Sequence, residues 1–214
     1  MSGAARLIVF EGAEGVGKST QLARLAERLG GLDHVLMVRE PGGTPLGNEV
    51  RRLVLDVVTM DVVPRAEALL FMASRAQLVE RSIKPALAAG KWVLMDRYFL
   101  STYAYQVAGR GLPEAEVRQA NGFATGGLVP GLTLLLSLPV EEGLKRADAR
   151  GGRDRMEQAD DDFHKRVTQA FESFVAPEWQ AEHPECGPIV MVDASGTPDK
   201  VAERVASAVD SHWR

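Results

Sequence analysis

Cysteine is nearly absent. The 214-residue chain has one, Cys186, so no internal disulfide can form, which suits a reducing compartment. Long apolar runs are missing too, since no stretch approaches the roughly 18–20 residues that cross a bilayer. After a single early base, Arg6, the run Leu7–Phe10 is too short for the core of a secretory signal. Positive charge is not in excess. A net charge of −4 argues against attraction over the whole surface to nucleic acid or anionic membranes, so phosphate chemistry would need locally clustered bases. Neither nucleic acid nor membrane is an expected partner, and the cytoplasm is the expected location. Internal repeats, low-complexity tracts and Pro/Gly/Ser-rich linkers are lacking as well. What is present, 45% apolar and 25% charged residues, fits one domain over 1–214 with a sizeable core.

Short apolar runs alternate with longer helical patterns. Leu7–Phe10, Val35–Val38, Trp92–Met95, Leu132–Leu138 and Ile189–Val192 read as five strands, apolar without strict alternation, as buried parallel strands are. Between them, Leu22, Leu25, Ala26 and Leu29 fall at helical spacing, and Gly30-Gly31 stops that helix. Pro64 opens a second helix expected to run to Ala89, with Pro85 as a possible kink. Helical patterns recur at Glu114–Ala124, Val140–Ala149, Asp161–Gln180 and Asp199–His212, and Asp160-Asp161-Asp162 reads as a helix start. Alternating strands and helices predict an α/β fold, a parallel sheet with helices on both faces.

Gly12-Ala13-Glu14-Gly15-Val16-Gly17-Lys18-Ser19 matches G-x-x-x-x-G-K-[ST] in full, with a strand before it and a helix from Thr20 after it. Such glycines let backbone N–H groups turn inward around phosphate oxygens, and the helix start adds partial positive charge. Gly12 to Thr20 are therefore the expected ATP-binding residues. Lys18 would reach the β and γ phosphates, and Ser19 would ligate Mg²⁺. Asp96, ending the apolar run Trp92–Met95, is the expected second metal residue; the competing reading makes it a helix cap.

These features specify a nucleotide site and leave the activity open. A guanine-specific switch needs an Asn-Lys-x-Asp segment after a late strand, and the sequence has none. Asp193-Ala194-Ser195-Gly196 looks like a switch motif, but it follows the last strand, out of the usual order.

Glu11-Gly12-Ala13-Glu14, Arg39-Glu40-Pro41-Gly42-Gly43-Thr44, Leu70-Phe71-Met72-Ala73-Ser74-Arg75, Asp96-Arg97-Tyr98 and Ser101-Thr102-Tyr103-Ala104-Tyr105-Gln106 together resemble bacterial thymidylate kinase, in order and spacing, from about Leu7 to Asp193. The resemblance implies a P-loop nucleoside monophosphate kinase fold with a five-stranded parallel sheet, usually a homodimer. It also implies ATP-dependent phosphorylation of dTMP for dTTP synthesis. Another small-molecule P-loop kinase, or a nucleotide switch, is the alternative.

The residues make chemical sense beside that resemblance. Phe71 and Arg75, four apart in a helical stretch, share a face and offer a π-surface with a fork of donors at its edge. Arg75 would donate to thymine O4, where cytosine presents an amino group. Gln106 would accept from N3–H and donate to a neighbouring carbonyl. The bland alternative puts Phe71 in the core and Arg75 in a surface ion pair. Arg39, Arg51 and Arg97 are the candidates for the acceptor phosphate, because bidentate guanidinium suits phosphate. By resemblance, Glu14 bonds the 3′-hydroxyl and Tyr105 packs beside the sugar, while Pro41, Ser101 and Thr102 complete the acceptor site. Catalysis is expected from Lys18, Arg97 and a lid over about 146–160, where Arg150, Arg153 and Arg155 flank Gly151-Gly152. The P-loop carries no arginine, so the bacterial class, with its catalytic arginine in the lid, is the one that fits. Arg146 reads instead as a solvated base at a helix end.

Overall fold

The computed structural model describes residues 3–56, 61–139, 141–143, 145, 146, 155, 156 and 158–213. Five strands form one sheet: β1 (Leu7–Glu11), β2 (Val35–Arg39), β3 (Trp92–Asp96), β4 (Leu132–Ser137) and β5 (Ile189–Asp193). Their order is β2-β3-β1-β4-β5, and every pairing is parallel. Four of the five strands run one residue beyond the expected apolar run, onto Glu11, Arg39, Asp96 and Asp193. The ladder is made by the backbone and continues past the point where apolar side chains stop.

Both sheet faces are covered, which is why the strand sequences do not alternate. Leu7 and Val9 of β1 point into one core with Leu78, Ile83, Tyr98 and Phe163. Ile8 and Phe10, the intervening residues, point into a second core with Leu22, Leu25, Val201 and Val205. The second core is closed by α1 (Lys18–Arg28) and, at the end of the chain, by the helix Pro198–His212.

The other helices are α2 (Pro45–Leu55), α3 (Pro64–Leu78), α4 (Lys84–Ala88), α5 (Phe99–Thr102), α6 (Glu114–Thr125), α7 (Asp161–Ser173) and α8 (Pro177–Glu182), with Pro198–His212 as α9. The expected helix from Pro64 to Ala89 is one continuous path with a change of pitch. Val79–Ile83 is a π-helical turn, widened just before Pro85, which has no N–H to donate. The expected helix Asp161–Gln180 is split, because Pro177 starts a new one after an extended Ala176. Its start is as read, with the Asp160 carboxylate accepting from the Phe163 N–H at 2.8 Å. The Val140–Ala149 pattern is helical at residues 141–143, 145 and 146, and the rest lies outside the described residues. No sequence pattern marked α5, which runs into a π-helix over Tyr103–Gly109. No helix among the described residues is long and apolar enough to cross a membrane.

The register places the chemistry. Asp96 pairs with both Phe10 and Arg39, and Ser137 with Asp193. All five carboxyl ends therefore open on one edge, where parallel α/β sheets bind ligands.

Candidate active site

The loop after β1 is held close against the β4 side of the sheet. Gly12 and Gly15 have φ of 132° and 74°, and a Cβ on them would lie 2.4 Å from the Leu136 carbonyl oxygen and 2.0 Å from that of Gly143. Only glycine allows this approach. From Glu14 to Thr20 the loop and the start of α1 line a cleft of about 690 Å³, whose other walls include Arg39, Asp96, Arg97, Ala194 and Pro198. Lys18 is buried, and its Nζ donates to the Gly12 and Ala13 carbonyls at 2.9 and 2.8 Å. Burial, and then Arg97, push its ammonium down to about 8, against the pull of Asp96, Glu14 and Glu11. Ser19 Oγ donates to Asp96 Oδ2 at 3.0 Å, so the two expected metal residues are in contact.

Arg97 follows β3 with φ 71°, a left-handed conformation that non-glycine residues seldom adopt and that costs on the order of 1–3 kcal/mol. The turn sends its guanidinium back across the loop, to Ser101 Oγ at 3.0 Å, the Gly12 carbonyl at 3.4 Å and Glu14 Oε1 at 3.3 Å. The guanidinium carbon also lies 5.0 Å from the Tyr105 ring centre, and the Tyr105 hydroxyl donates to Glu14. Burial raises the Glu14 carboxyl, but Arg97 and Lys18 with the Tyr105 hydroxyl outweigh it and hold it below its ordinary value. Glu14 is therefore an ionised acceptor between two cations.

A second cavity, of about 90 Å³, opens beside the first. Pro41, Phe71, Arg75, Ser101, Thr102, Tyr105 and Gln106 line it, so residues from three distant sequence motifs meet there. Arg51 lines both spaces and donates to the Pro41 carbonyl at 3.1 Å; the Glu40–Pro41 peptide is cis. Arg39 is exposed and lines only the larger cleft. Glu14, Glu40, Arg51 and Arg97 are common to both, forming the join between them.

Three arginines sit differently from their sequence reading. Arg75 is buried rather than held in a surface ion pair, and it does not present a free fork to the cavity. Its five donor contacts go to Glu40 (from Nε and Nη2), Thr102, Asn121 and the Tyr98 carbonyl. Arg146 lines the larger cleft and donates to the Ala194 carbonyl at 3.4 Å and Glu142 at 2.5 Å; a base four residues from its acid on the helix face can still turn its fork inward. Arg155 reaches the Glu67 carboxylate and the Val54 carbonyl. Arg150 and Arg153 lie outside the described residues.

Sequence reasoning passed over several residues here. Glu11, fully buried, accepts from the Tyr98 and Ser101 N–H groups at 2.7 and 3.1 Å and from Ser101 Oγ at 2.6 Å. It ties the start of α5, and with it Ser101, Thr102 and Tyr105, to the end of β1. An acid directly before the P-loop was the available signal. Leu55 and Met156 also line the smaller cavity, and no local pattern marks them.

A thymidylate kinase family model matches residues 10–201. The chain is 48% identical over 203 residues to a thymidylate kinase of Deinococcus radiodurans, covering 94% of this chain and 95% of that one. It is 49% identical over 204 residues to one from a Synechococcus strain, covering 95% and 93%. The crystal structure of thymidylate kinase from Ehrlichia chaffeensis superposes with a TM-score of 0.71 at 27% identity, over 95% of this chain and 97% of that one. A P-loop, a second cavity joined to it through two arginines and two carboxylates, and this similarity along nearly the whole length converge: the chain belongs to the thymidylate kinase family.

Proposed function

We propose that the chain transfers the γ-phosphoryl group of ATP to dTMP, giving dTDP for dTTP synthesis. The observation that carries this is the join between the two cavities, where Arg51 and Arg97 lie between a phosphate cradle and a pocket lined by Phe71 and Gln106. Two phosphate groups meeting there would face two guanidinium groups, which supplies positioning and charge where phosphoryl transfer needs them.

In this reading Gly12 to Thr20 hold the triphosphate, with Lys18 on its β and γ groups. Arg39, Arg51 and Arg97 take the acceptor phosphate. Glu14 accepts from the 3′-hydroxyl while Tyr105 covers the sugar. Phe71, Arg75, Thr102 and Gln106 face the base, with Pro41 and Ser101 completing the wall. The Ser19 hydroxyl beside the Asp96 carboxylate is a hard-oxygen pair suited to Mg²⁺, which would neutralise charge on the phosphates. The chain then works as one P-loop domain whose arginine-rich segment, about 146–160, covers the donor. A homodimer belongs to the same reading: α3 and α6 pack together yet leave Leu69 58% and Phe123 92% exposed. The cytoplasm is the proposed location, in keeping with Cys186 as a buried free thiol.

The test is ADP release with Mg²⁺ and ATP over a panel of nucleoside monophosphates. dTMP should be preferred. dUMP, lacking one methyl, should be poorer by about 10–200-fold at most, and dCMP by about 10⁴. Comparable kcat/KM for dCMP and dTMP would remove the base-recognition argument.

A further inference from the structure

Glu67, in the first turn of α3, is fully buried, and three side chains from two other segments converge on it. Arg110 donates through Nε and Nη2 at 3.1 Å each, Arg155 through Nη2, and Gln106 through Nε2 at 3.4 Å. Gln106 and Arg110 come from the π-helical segment and the residue that ends it, and Arg155 from the stretch before α7.

A carboxylate facing two guanidinium groups is an acceptor only. An amide has one donor end and one acceptor end, so Gln106 can meet Glu67 only through Nε2. Oε1 is then the end left for the acceptor cavity, which Gln106 lines. An oxygen there suits the N3–H of thymine or uracil. Cytosine carries a lone pair at N3, so oxygen would face lone pair, and a reversed amide would reverse the preference. Glu67 has a second grip on the same cavity. Arg155 also donates from Nε to the Val54 carbonyl at 2.8 Å and from its backbone N–H to Leu55 at 2.9 Å, and its neighbour Met156 lines the cavity.

We infer that Glu67 is a positioning residue for base selection: it holds the Gln106 amide with its oxygen toward the acceptor base and ties Arg155 and Met156 against the cavity. The inference rests on the acceptor-site reading above and adds to it the group that sets the polarity of the reading atom.

The experiment is steady-state kinetics of the full chain with Mg²⁺ and ATP, for dTMP and dCMP, on Glu67→Gln, Gln106→Ala and the double variant. Glutamine at 67 can accept or donate, so it no longer dictates the amide orientation. Glu67→Gln should raise KM for dTMP about tenfold or more, keep kcat within about threefold, and leave KM for ATP unchanged. The dTMP-to-dCMP ratio of kcat/KM should fall about tenfold or more. In the Gln106→Ala background the same change should leave that ratio within about twofold, because no amide remains to orient. A ratio unmoved by Glu67→Gln, or moved equally in both backgrounds, overturns the inference and leaves Glu67 a purely structural carboxylate. Should the single variant not melt cooperatively, the charge-balanced pair Glu67→Gln/Arg110→Gln is measured the same way and judged by the same ratio. Failure of the wider reading has its own signature: an unmodified enzyme without preference for dTMP over dCMP overturns both.

Discussion

Arg75 and Glu40 form an ion pair shut away from water, their side chains 3% and 4% exposed, with Nε and Nη2 of the arginine on the same carboxylate oxygen. The remaining donors reach Thr102, Asn121 and the Tyr98 carbonyl, so one guanidinium joins α3, α6, the start of α5 and the turn after β2. The pair's net worth over an apolar replacement is small, but breaking it strands a buried charge. Arg75→Met and Glu40→Ala should each lower stability by about 3–5 kcal/mol. Urea denaturation reads this directly, and an unshifted midpoint in either variant contradicts it.

Lys18 gives a pH signature. Its ammonium is pushed down to about 8 in the folded protein, from an ordinary value of 10.5. Below about 8 both states are protonated and the penalty of the buried charge is fully present. Between about 8 and 10.5 the unfolded chain binds more protons, so this group's contribution to stability improves as pH rises. A bound triphosphate supplies the missing counter-charge and raises the pKa, so ATP binding should take up protons above about pH 8. Calorimetry at pH 8.5 in buffers of different ionisation enthalpy should show this, and Lys18→Ala should abolish it together with turnover. Buffer-independent heats in the unmodified protein would contradict it.

Two P-loop glycines should respond unequally. Gly15 and Gly17 both have left-handed backbones, φ 74° and 88°, but an added Cβ meets the Gly143 carbonyl oxygen at 2.0 Å in the first and nothing within 4 Å in the second. Gly17→Ala should cost only the backbone strain, about 1–2 kcal/mol. Gly15→Ala must also push the loop and residue 143 apart, so its melting temperature without nucleotide should fall further. Equal melting temperatures would mean the loop relaxes freely.

The lid arginines should separate by kinetic parameter. Arg150 and Arg153 are expected to act on the γ-phosphoryl group in the transition state, so alanine at either should lower kcat with little change in KM, and the two together by about 10³ or more. Arg155 lies on Glu67 and the end of α2, so Arg155→Ala should raise KM for dTMP and spare kcat. Steady-state kinetics for both substrates decides. A kcat loss below about tenfold in the Arg150/Arg153 double variant would make the lid a cover only.

The phosphate loop, the five strands and most helices could be read from the sequence because they depend on neighbours in the chain. Gly12 to Ser19 is a backbone conformation encoded by glycine spacing, and β1 is an apolar run buried on both faces. Pro177 and the widened turn before Pro85 were harder to place, since proline signals a break without saying whether the chain turns or merely changes pitch. The sequence alone also put Arg51, Arg75, Arg97 and Gln106 on the list of candidates, by residue type and motif. Only the tertiary structure decided how they are used. Arg75 is saturated by Glu40, Thr102 and Asn121, residues 35, 27 and 46 positions away. Arg146 faces the cleft, Glu11 anchors α5, and Glu67 gathers Gln106, Arg110 and Arg155. A hydrogen bond between distant segments leaves no periodicity in the chain, because its partners are chosen by how the segments pack.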